Sequence, residues 1–397
     1  MTYSDKLFSI SAILIIILLI SATESLFSAF GVSAQTGSGY VLVDALSGVV
    51  LDGDNKDMRL EEASTTKVMT ALVAIRKLDP SDIVTVKRES VGIEGSSVYL
   101  KEGERISVKT LLYGLMLRSG NDAAHALAVA ACGSEEKFVE AMNAEAERLG
   151  LVNTHFCNPH GLHAEGHYTS AYDLAMITRE AYREPLFAEI VASKSYRSDD
   201  PRESEAHVFY NKNKLLSTLD GANGVKTGYT TASGKCFVGG AKRGGMQLIC
   251  VVLNRGDMWQ KAADLLEYGF AHYEPTLVGR SDVPLFDYEY GGERIQLRLA
   301  ENVVLPTEKG ERAELGWEFV PVERVEKGFA AGDTVGFVRF WQGNRLIFEA
   351  KTVTIKAISN KGATSLRGLA AEDTIDWKGL TSISPLAASP REGAPTY

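Results

Sequence analysis

The first long apolar run, residues 7–22, is rich in Ile and Leu and follows Lys6. After it the chain alternates like a folded protein. Residues 39–44 and 49–52 are short apolar stretches separated by Ala45-Leu46-Ser47-Gly48, which predicts a β-hairpin. Residues 65–77 place Val68, Met69, Leu72 and Ile75 on one helical stripe. Residues 98–101 and 105–108 read as short strands around Gly103. Leu111, Leu112, Leu115 and Met116 give residues 108–118 one buried helical face. Residues 123–132 are small and apolar on almost every side, which predicts a helix buried all round. Residues 135–149 form an amphipathic helix ended by Gly150, and residues 170–182 a helix with Thr169 or Ser170 as N-cap. Residues 158–162 are a loop.

From residue 225 the period changes. Val225 to Tyr229 reads as the start of an edge strand, and residues 235–241 and 246–253 as a hairpin closed by Arg243-Gly244-Gly245. A helix follows at 259–273. The expected first domain, 35–274, is a mixed β-sheet with a helical cluster, its strands drawn from both ends of the segment. Beyond it strand signals dominate: 295–299, 303–305, 334–341, 346–350 and 353–357, two of them joined at Gln342-Gly343-Asn344. Residues 275–360 are expected to form a small all-β domain, so the fold class is α+β. Residues 361–397 are rich in Gly, Ser, Ala and Pro, and are expected to be a low-complexity, disordered tail.

Composition changes this picture little. The 397 residues suffice for two domains, and 45% hydrophobic with 23% charged residues is ordinary for a globular chain. A net charge of -9 gives no reason to expect nucleic acid as a partner. The terminus is more informative. Small residues at Val32-Ser33-Ala34 after the apolar run predict a signal peptide over 1–34, cleaved after Ala34. The other reading is an uncleaved anchor, for which the run is short of the ~20 residues of a comfortable span. Both place the body outside the cytoplasm, at the cell wall or the outer face of the cytoplasmic membrane. Cys132, Cys157, Cys236 and Cys250 allow three full disulfide connectivities, and buried free thiols fit equally well. No spacing suggests a metal site, and no cofactor is expected.

Three short segments carry chemistry. In Ser64-Thr65-Thr66-Lys67 the serine and lysine stand at i and i+3, on one helix face, at the helix start. A serine hydroxyl needs a base within reach, and a lysine serves as one only when uncharged. Burial and a second cation both favour the neutral amine. Lys226, in Lys226-Thr227-Gly228, is the candidate second cation. Ser119, in Ser119-Gly120-Asn121, can relay a proton to the leaving group. The backbone N–H groups of Ser64 and Tyr229 are candidate oxyanion donors. Gly228 leaves room for a substrate lying along the strand. Asn121 can bond a substrate amide, and Lys226 with Thr227 a carboxylate. Any one segment is weak evidence; their order, in an exported chain, is strong.

This motif set, Ser64-x-x-Lys67, Ser119-Gly120-Asn121 and Lys226-Thr227-Gly228, resembles that of penicillin-recognising serine enzymes. More narrowly, the chain resembles the low-molecular-mass penicillin-binding proteins, the serine-type D-alanyl-D-alanine carboxypeptidases of peptidase family S11. Asn153-Thr154-His155-Phe156, His160-Gly161-Leu162 and Ser170-Ala171-Tyr172-Asp173-Leu174 resemble a further stretch of that family. The resemblance covers about residues 39–273 and implies a β-lactamase/transpeptidase-like domain. It implies that Ser64 is acylated, that Lys67 is the acylation base, and that Ser119 and Asn121 line the cleft. Lys226, Thr227 and Gly228 would bind the terminal carboxylate of a peptidoglycan stem peptide. Loss of its last D-alanine, and acylation by β-lactam antibiotics, would follow. Tyr229 stands where some members carry histidine. Members often end in a membrane-binding amphipathic helix; residues 359–397 have no sustained apolar stripe, which leaves peripheral membrane contact open.

Three other functions compete: a D,D-endopeptidase, a β-lactamase, and a non-catalytic wall-binding protein. No Glu-x-x-Leu-Asn segment lies between Asn121 and Lys226 to drive deacylation of a β-lactam, and the serine and both lysines are intact. Several nearby groups have plainer readings. His160 is expected to brace a loop, Asp173 to bond a helix end, Arg255 to bind a carboxylate or form a surface salt bridge, and Glu61 and Glu62 to be solvated.

Overall fold

The computed structural model describes residues 37–290, 293–310, 315–322, 328–342, 344–357 and 383–385. The expected signal peptide, 1–34, lies outside the described residues. So does the expected tail, 361–397, apart from three residues noted below.

A five-stranded antiparallel sheet organises the first body, in the order β2 (Val50–Asp54), β1 (Gly39–Asp44), β9 (Met246–Leu253), β8 (Gly234–Arg243) and β7 (Ala222–Thr230). Between β2 and β7 lie the strands β3 (Ile83–Thr85), β4 (Arg105–Ser107), β5 (Ser195–Arg197) and β6 (Val208–Tyr210). The central strand β9 is apolar almost throughout, as a strand covered on both faces must be. Successive side chains point to opposite faces, so one chain segment feeds two cores. Leu248, Cys250 and Val252 face one cluster with Leu265 and Leu266, which belong to the last helix of this body, Met258–His272. Ile249, Val251 and Leu253 face a larger cluster built with the other helices.

Those helices are α1 (Lys67–Lys77), α2 (Val108–Tyr113), α3 (Asn121–Cys132), α4 (Glu135–Arg148), α5 (Ala171–Ala181) and α6 (Pro185–Ala192). α1 runs through the middle and is buried from Lys67 to Ala74. α3 is nearly as buried as its small residues predict, from Asn121 to Val129 with only His125 partly exposed. Ser170 caps α5 by accepting from the Asp173 amide. α2 continues as a π-helical turn, Gly114–Arg118, and is stopped by Ser119 in a left-handed conformation.

Two expectations change. Residues 98–101 are not a strand; β4 pairs instead with β3, which has no alternating pattern long enough to signal it. α6, β5 and β6 also escaped the pattern. The last two are three-residue pieces, too short for a period to register. Of the two readings left open for the cysteines, the free thiols hold: all four are unbridged, Cys236 and Cys250 buried, Cys132 and Cys157 partly so.

Tyr273–Gly279 (β10) pairs with Val303–Glu308 (β13). A second sheet follows the order β11 (Phe286–Tyr290), β12 (Glu293–Leu299), β16 (Arg345–Thr354), β15 (Thr334–Gln342), β14 (Leu315–Pro321) and β17 (Ile383–Pro385). Trp317, Leu299, Val338 and Phe340 form its core, against which Val49 of the first hairpin packs. β17 lies in the stretch expected to be disordered, yet it pairs in parallel with Leu315–Trp317. Among the described residues no helix is long and apolar enough to cross a membrane.

Candidate active site

The serine turn is built by strain and close approach. Ser64 sits in a 3-10 turn, Ala63–Thr66, that precedes α1 rather than in the helix proper. Ala63 has φ 49, a left-handed conformation that a non-glycine residue adopts at a cost of about 1–3 kcal/mol. The turn delivers Ser64 Oγ to 3.0 Å from Lys67 Nζ. Lys67 is fully buried and makes two further bonds, 2.7 Å to Asn121 Oδ1 and one to the His160 carbonyl. None of these acceptors is a carboxylate. Burial is the main force pushing the Lys67 amine well below its ordinary range, and Lys226 and Lys212 add to it.

The third motif arrives from the edge strand. Lys226 in β7 is 2% exposed, and its Nζ donates to the Thr227 carbonyl at 2.8 Å. Burial, then the charge of Lys212, lower it to about 7. Gly228 was expected to leave room for substrate. Its more direct role is toward the serine turn: a Cβ there would lie 2.8 Å from the Glu62 carbonyl and 3.1 Å from the Ser64 nitrogen. Only glycine lets β7 lie this close. Thr227 is partly exposed and Tyr229 is 67% exposed, so both face outward beside the turn.

Ser119 holds φ 66 between the π-helical turn and Gly120, and is 4% exposed. The π-helical turn packs on both α1 and β7, so the second segment meets the other two. Asn121 has partners within the protein that the sequence did not show. It is the first residue of α3, and its amide is engaged within the protein at both ends: the oxygen accepts from Lys67 and the nitrogen donates to the Glu94 carbonyl. It holds the lysine amine in place.

The loop after α4 completes the wall. His160 braces it as expected: Nδ1 accepts from the Leu162 amide at 3.2 Å, and burial, then Lys67, lower the ring to about 3, so it is neutral. Gly161 has φ 82, and a Cβ there would fall 1.9 Å from the Ala63 carbonyl. Asp173 bonds Asn153 N at 2.8 Å and Thr154 Oγ1 at 2.9 Å, a structural role. Arg255 pairs with Asp257 at 3.0 Å, the surface salt bridge of its two readings.

Two groups escaped the sequence. Lys212 Nζ lies 3.2 Å from Ser96 Oγ and its charge reaches both active-site lysines. Nothing in Asn211-Lys212-Asn213-Lys214 distinguishes it from a solvated loop lysine. Glu62 was expected in solvent and is fully buried, paired with His167 Nε2 at 2.9 Å. Glu104, Glu205 and His207 bring three ligand atoms within 4.8 Å of one another. Their atoms are already engaged, His207 with Glu104 at 2.7 Å and Glu205 with Lys101 at 2.7 and 2.8 Å.

A buried amine whose charged form is disfavoured, beside a serine hydroxyl at the N-terminal end of a helix, is an arrangement that generates a nucleophile and favours developing negative charge. Comparison with known proteins agrees. The family model for D-alanyl-D-alanine carboxypeptidases, peptidase S11, matches residues 28–256. The chain is 36% identical over 291 residues to the D-alanyl-D-alanine carboxypeptidase DacF of Bacillus subtilis, covering 70% of this chain and 74% of that protein. It is 32% identical over 349 residues to DacA of Escherichia coli, covering 83% and 85%. The crystal structure of penicillin binding protein 5 from Haemophilus influenzae superposes with a TM-score of 0.67 at 28% identity, over 83% of this chain and 98% of that one.

Proposed function

This chain belongs to the peptidase S11 family of D-alanyl-D-alanine carboxypeptidases, and from that premise we propose how its own residues carry the reaction. The enzyme is a serine peptidase of peptidoglycan that works through an acyl-enzyme and binds β-lactams. In the proposed cycle Lys67 takes the proton from Ser64 Oγ as that oxygen attacks the carbonyl of the D-Ala–D-Ala bond. The Ser64 and Tyr229 amides receive the oxyanion. Lys226 and Thr227 hold the terminal carboxylate. The proton passes to the departing D-alanine nitrogen by way of Ser119. Water then attacks the ester, and Ser64 regains its proton as the shortened stem peptide leaves. Asn121 fixes Lys67 through its oxygen, and the second hydrogen of its amide nitrogen serves the substrate amide.

The single observation that supports this assignment is the 3.0 Å approach of a fully buried Lys67 amine to Ser64 Oγ. Peptidoglycan lies outside the cytoplasm, and residues 1–34 are read as the export signal that brings the enzyme there. Residues 39–273 are proposed to hold the whole reacting site, and the β domain to support it.

The test is the intact mass of the protein after penicillin treatment, with peptide mapping. One adduct on the peptide containing Ser64 is expected, and Ser64→Ala should lose both the adduct and D-alanine release. An adduct on another residue, or a labelled Ser64→Ala protein, would overturn the assignment.

A further inference from the structure

The buried Glu62–His167 pair lies behind the nucleophile, outside the groups that the proposed cycle uses. Glu62 and His167 are 0% and 3% exposed. The Cys157 amide donates to His167 Nδ1 at 3.0 Å, so that nitrogen is an acceptor. The ring hydrogen therefore rides on Nε2, which lies 2.9 Å from both Glu62 Oε1 and Thr66 Oγ1. Thr66 Oγ1 in turn lies 3.0 Å from Glu62 Oε1 and 2.8 Å from the Ala63 carbonyl. The other carboxylate oxygen, Glu62 Oε2, is buried and has no hydrogen-bond partner among the described residues. The carboxylate is thus held through one oxygen, by His167 and Thr66.

These bonds converge on the strained residue. Ala63 stands between Glu62 and Ser64 with φ 49, and its carbonyl is held by Thr66. The Glu62 carbonyl accepts from Thr65 N at 3.2 Å and from Thr65 Oγ1 at 2.6 Å. Left unrestrained, Ala63 would relax toward right-handed backbone and carry Ser64 away from Lys67. His167 comes from the same loop as His160, whose carbonyl accepts from Lys67. The pair therefore ties the nucleophile turn to the loop that anchors the base.

We propose that Glu62 and His167 are positioning residues for acylation, locking the Ala63–Thr66 turn so that Ser64 Oγ stays within reach of Lys67. The inference rests on the acyl-enzyme reading above. A misplacement of about 1 Å in reacting groups lowers rate by roughly 10²-fold. Removing the pair should therefore lower the acylation rate constant and leave the reversible binding of penicillin before the chemical step nearly unchanged.

The test uses the double variant Glu62→Leu/His167→Leu, because deleting one partner would strand a buried charge, whereas an apolar pair is often tolerated. Stopped-flow with a fluorescent penicillin separates the acylation constant from the binding constant. Thermal unfolding and near-ultraviolet circular dichroism report folding. The expected result is a folded protein with acylation slowed about 10²-fold and binding changed less than about threefold. A merely structural pair would lower the unfolding midpoint and leave the acylation constant of the folded protein at the wild-type value; that result overturns the inference. Glu62→Gln keeps the shape and weakens the pair. It should slow acylation about tenfold, so the test survives if the double variant does not fold, and an unchanged constant overturns the inference here too. Wild-type protein that forms no adduct on Ser64 would instead sink the acyl-enzyme reading itself.

Discussion

Helix α1 begins and ends on a basic side chain, and the two ends are treated in opposite ways. At its start Lys67 is fully buried, with no carboxylate among its hydrogen-bond partners. At its end Arg76 meets three carboxylates: Glu145 at 2.7 Å, Glu180 at 2.8 Å and Glu184 at 2.7 Å. Arg148 bonds Glu145 and Glu180 again, both at 2.7 Å. Helix dipoles favour cations at the C-terminus and oppose them at the N-terminus. Arg76 is thus a satisfied charge that ties α1 to α4 and α5. Burial works against it, but its bonds to Glu180 and Glu184 prevail and raise its pKa. Lys67 is a frustrated charge, and the relief open to it is to give up its proton. Both ends are basic, but Arg76 is exposed whereas Lys67 is fully buried. What separates chemistry from architecture is burial without a hydrogen-bonded acid: Asp122 favours the charged Lys67 only from a distance, and burial with Lys226 and Lys212 outweighs it.

The sharpest way to break this comparison is to remove the frustrated charge. Lys67→Met is expected to lower the second-order acylation constant by about 10³-fold, within the 10²–10⁴-fold range typical for a general base. The unfolding midpoint should stay level or rise, because a buried amine is exchanged for an apolar chain of similar length. Labelling kinetics and thermal unfolding check the two halves. A marked loss of stability would place Lys67 with Arg76 as a structural cation.

The next effect is on pH. Acylation should rise from acid as Lys67 loses its proton, and fall again as Lys226, lowered to about 7, loses the charge that binds the substrate carboxylate. A plateau from pH 5 to 10 would contradict both assignments. Stability moves the other way as Lys226 titrates. Between about 7 and 10.5 the unfolded chain holds a proton on residue 226 that the native state has released. The unfolded state binds more protons there, so Lys226 makes the native state gain stability as pH rises through that window. Chemical denaturation across the window, compared with Lys226→Met, isolates this contribution.

The smallest of the three effects is the reverse substitution. Arg76→Met leaves Glu184 without its cation and Glu145 and Glu180 to Arg148, and should cost about 1 kcal/mol of stability. Acylation of the folded protein should stay within about twofold of wild type. Urea denaturation and labelling measure the two independently.

Some of this was legible in the residues and some was not, for physical reasons. The Ser64–Lys67 spacing puts the two groups on one side of the chain, and they meet at 3.0 Å, though in a 3-10 turn ahead of α1. The hairpin at residues 39–54, the buried α3 and the β8–β9 pair follow from local period and are present. The partner of β4 is not local, and neither is the burial of Glu62, whose neighbour His167 is more than a hundred residues away. The bonds of Asn121 to Lys67 and to the Glu94 carbonyl are likewise tertiary, and the sequence does not show them. Gly161 and Gly228 are loop and strand glycines in the sequence. Their shared task, admitting two segments against one serine turn, is visible only in three dimensions.

The central claim is that Lys67 is uncharged when it meets Ser64, and its own titration tests that most directly. Carbon-13 labelling of lysine side chains, with Lys67→Met to assign the resonance, follows the amine by NMR across pH. The account predicts that Lys67 loses its proton well below the ordinary lysine value of 10.5. A Lys67 that titrates at 10.5 or above would be a charged amine throughout the working range, and could not take the proton from Ser64.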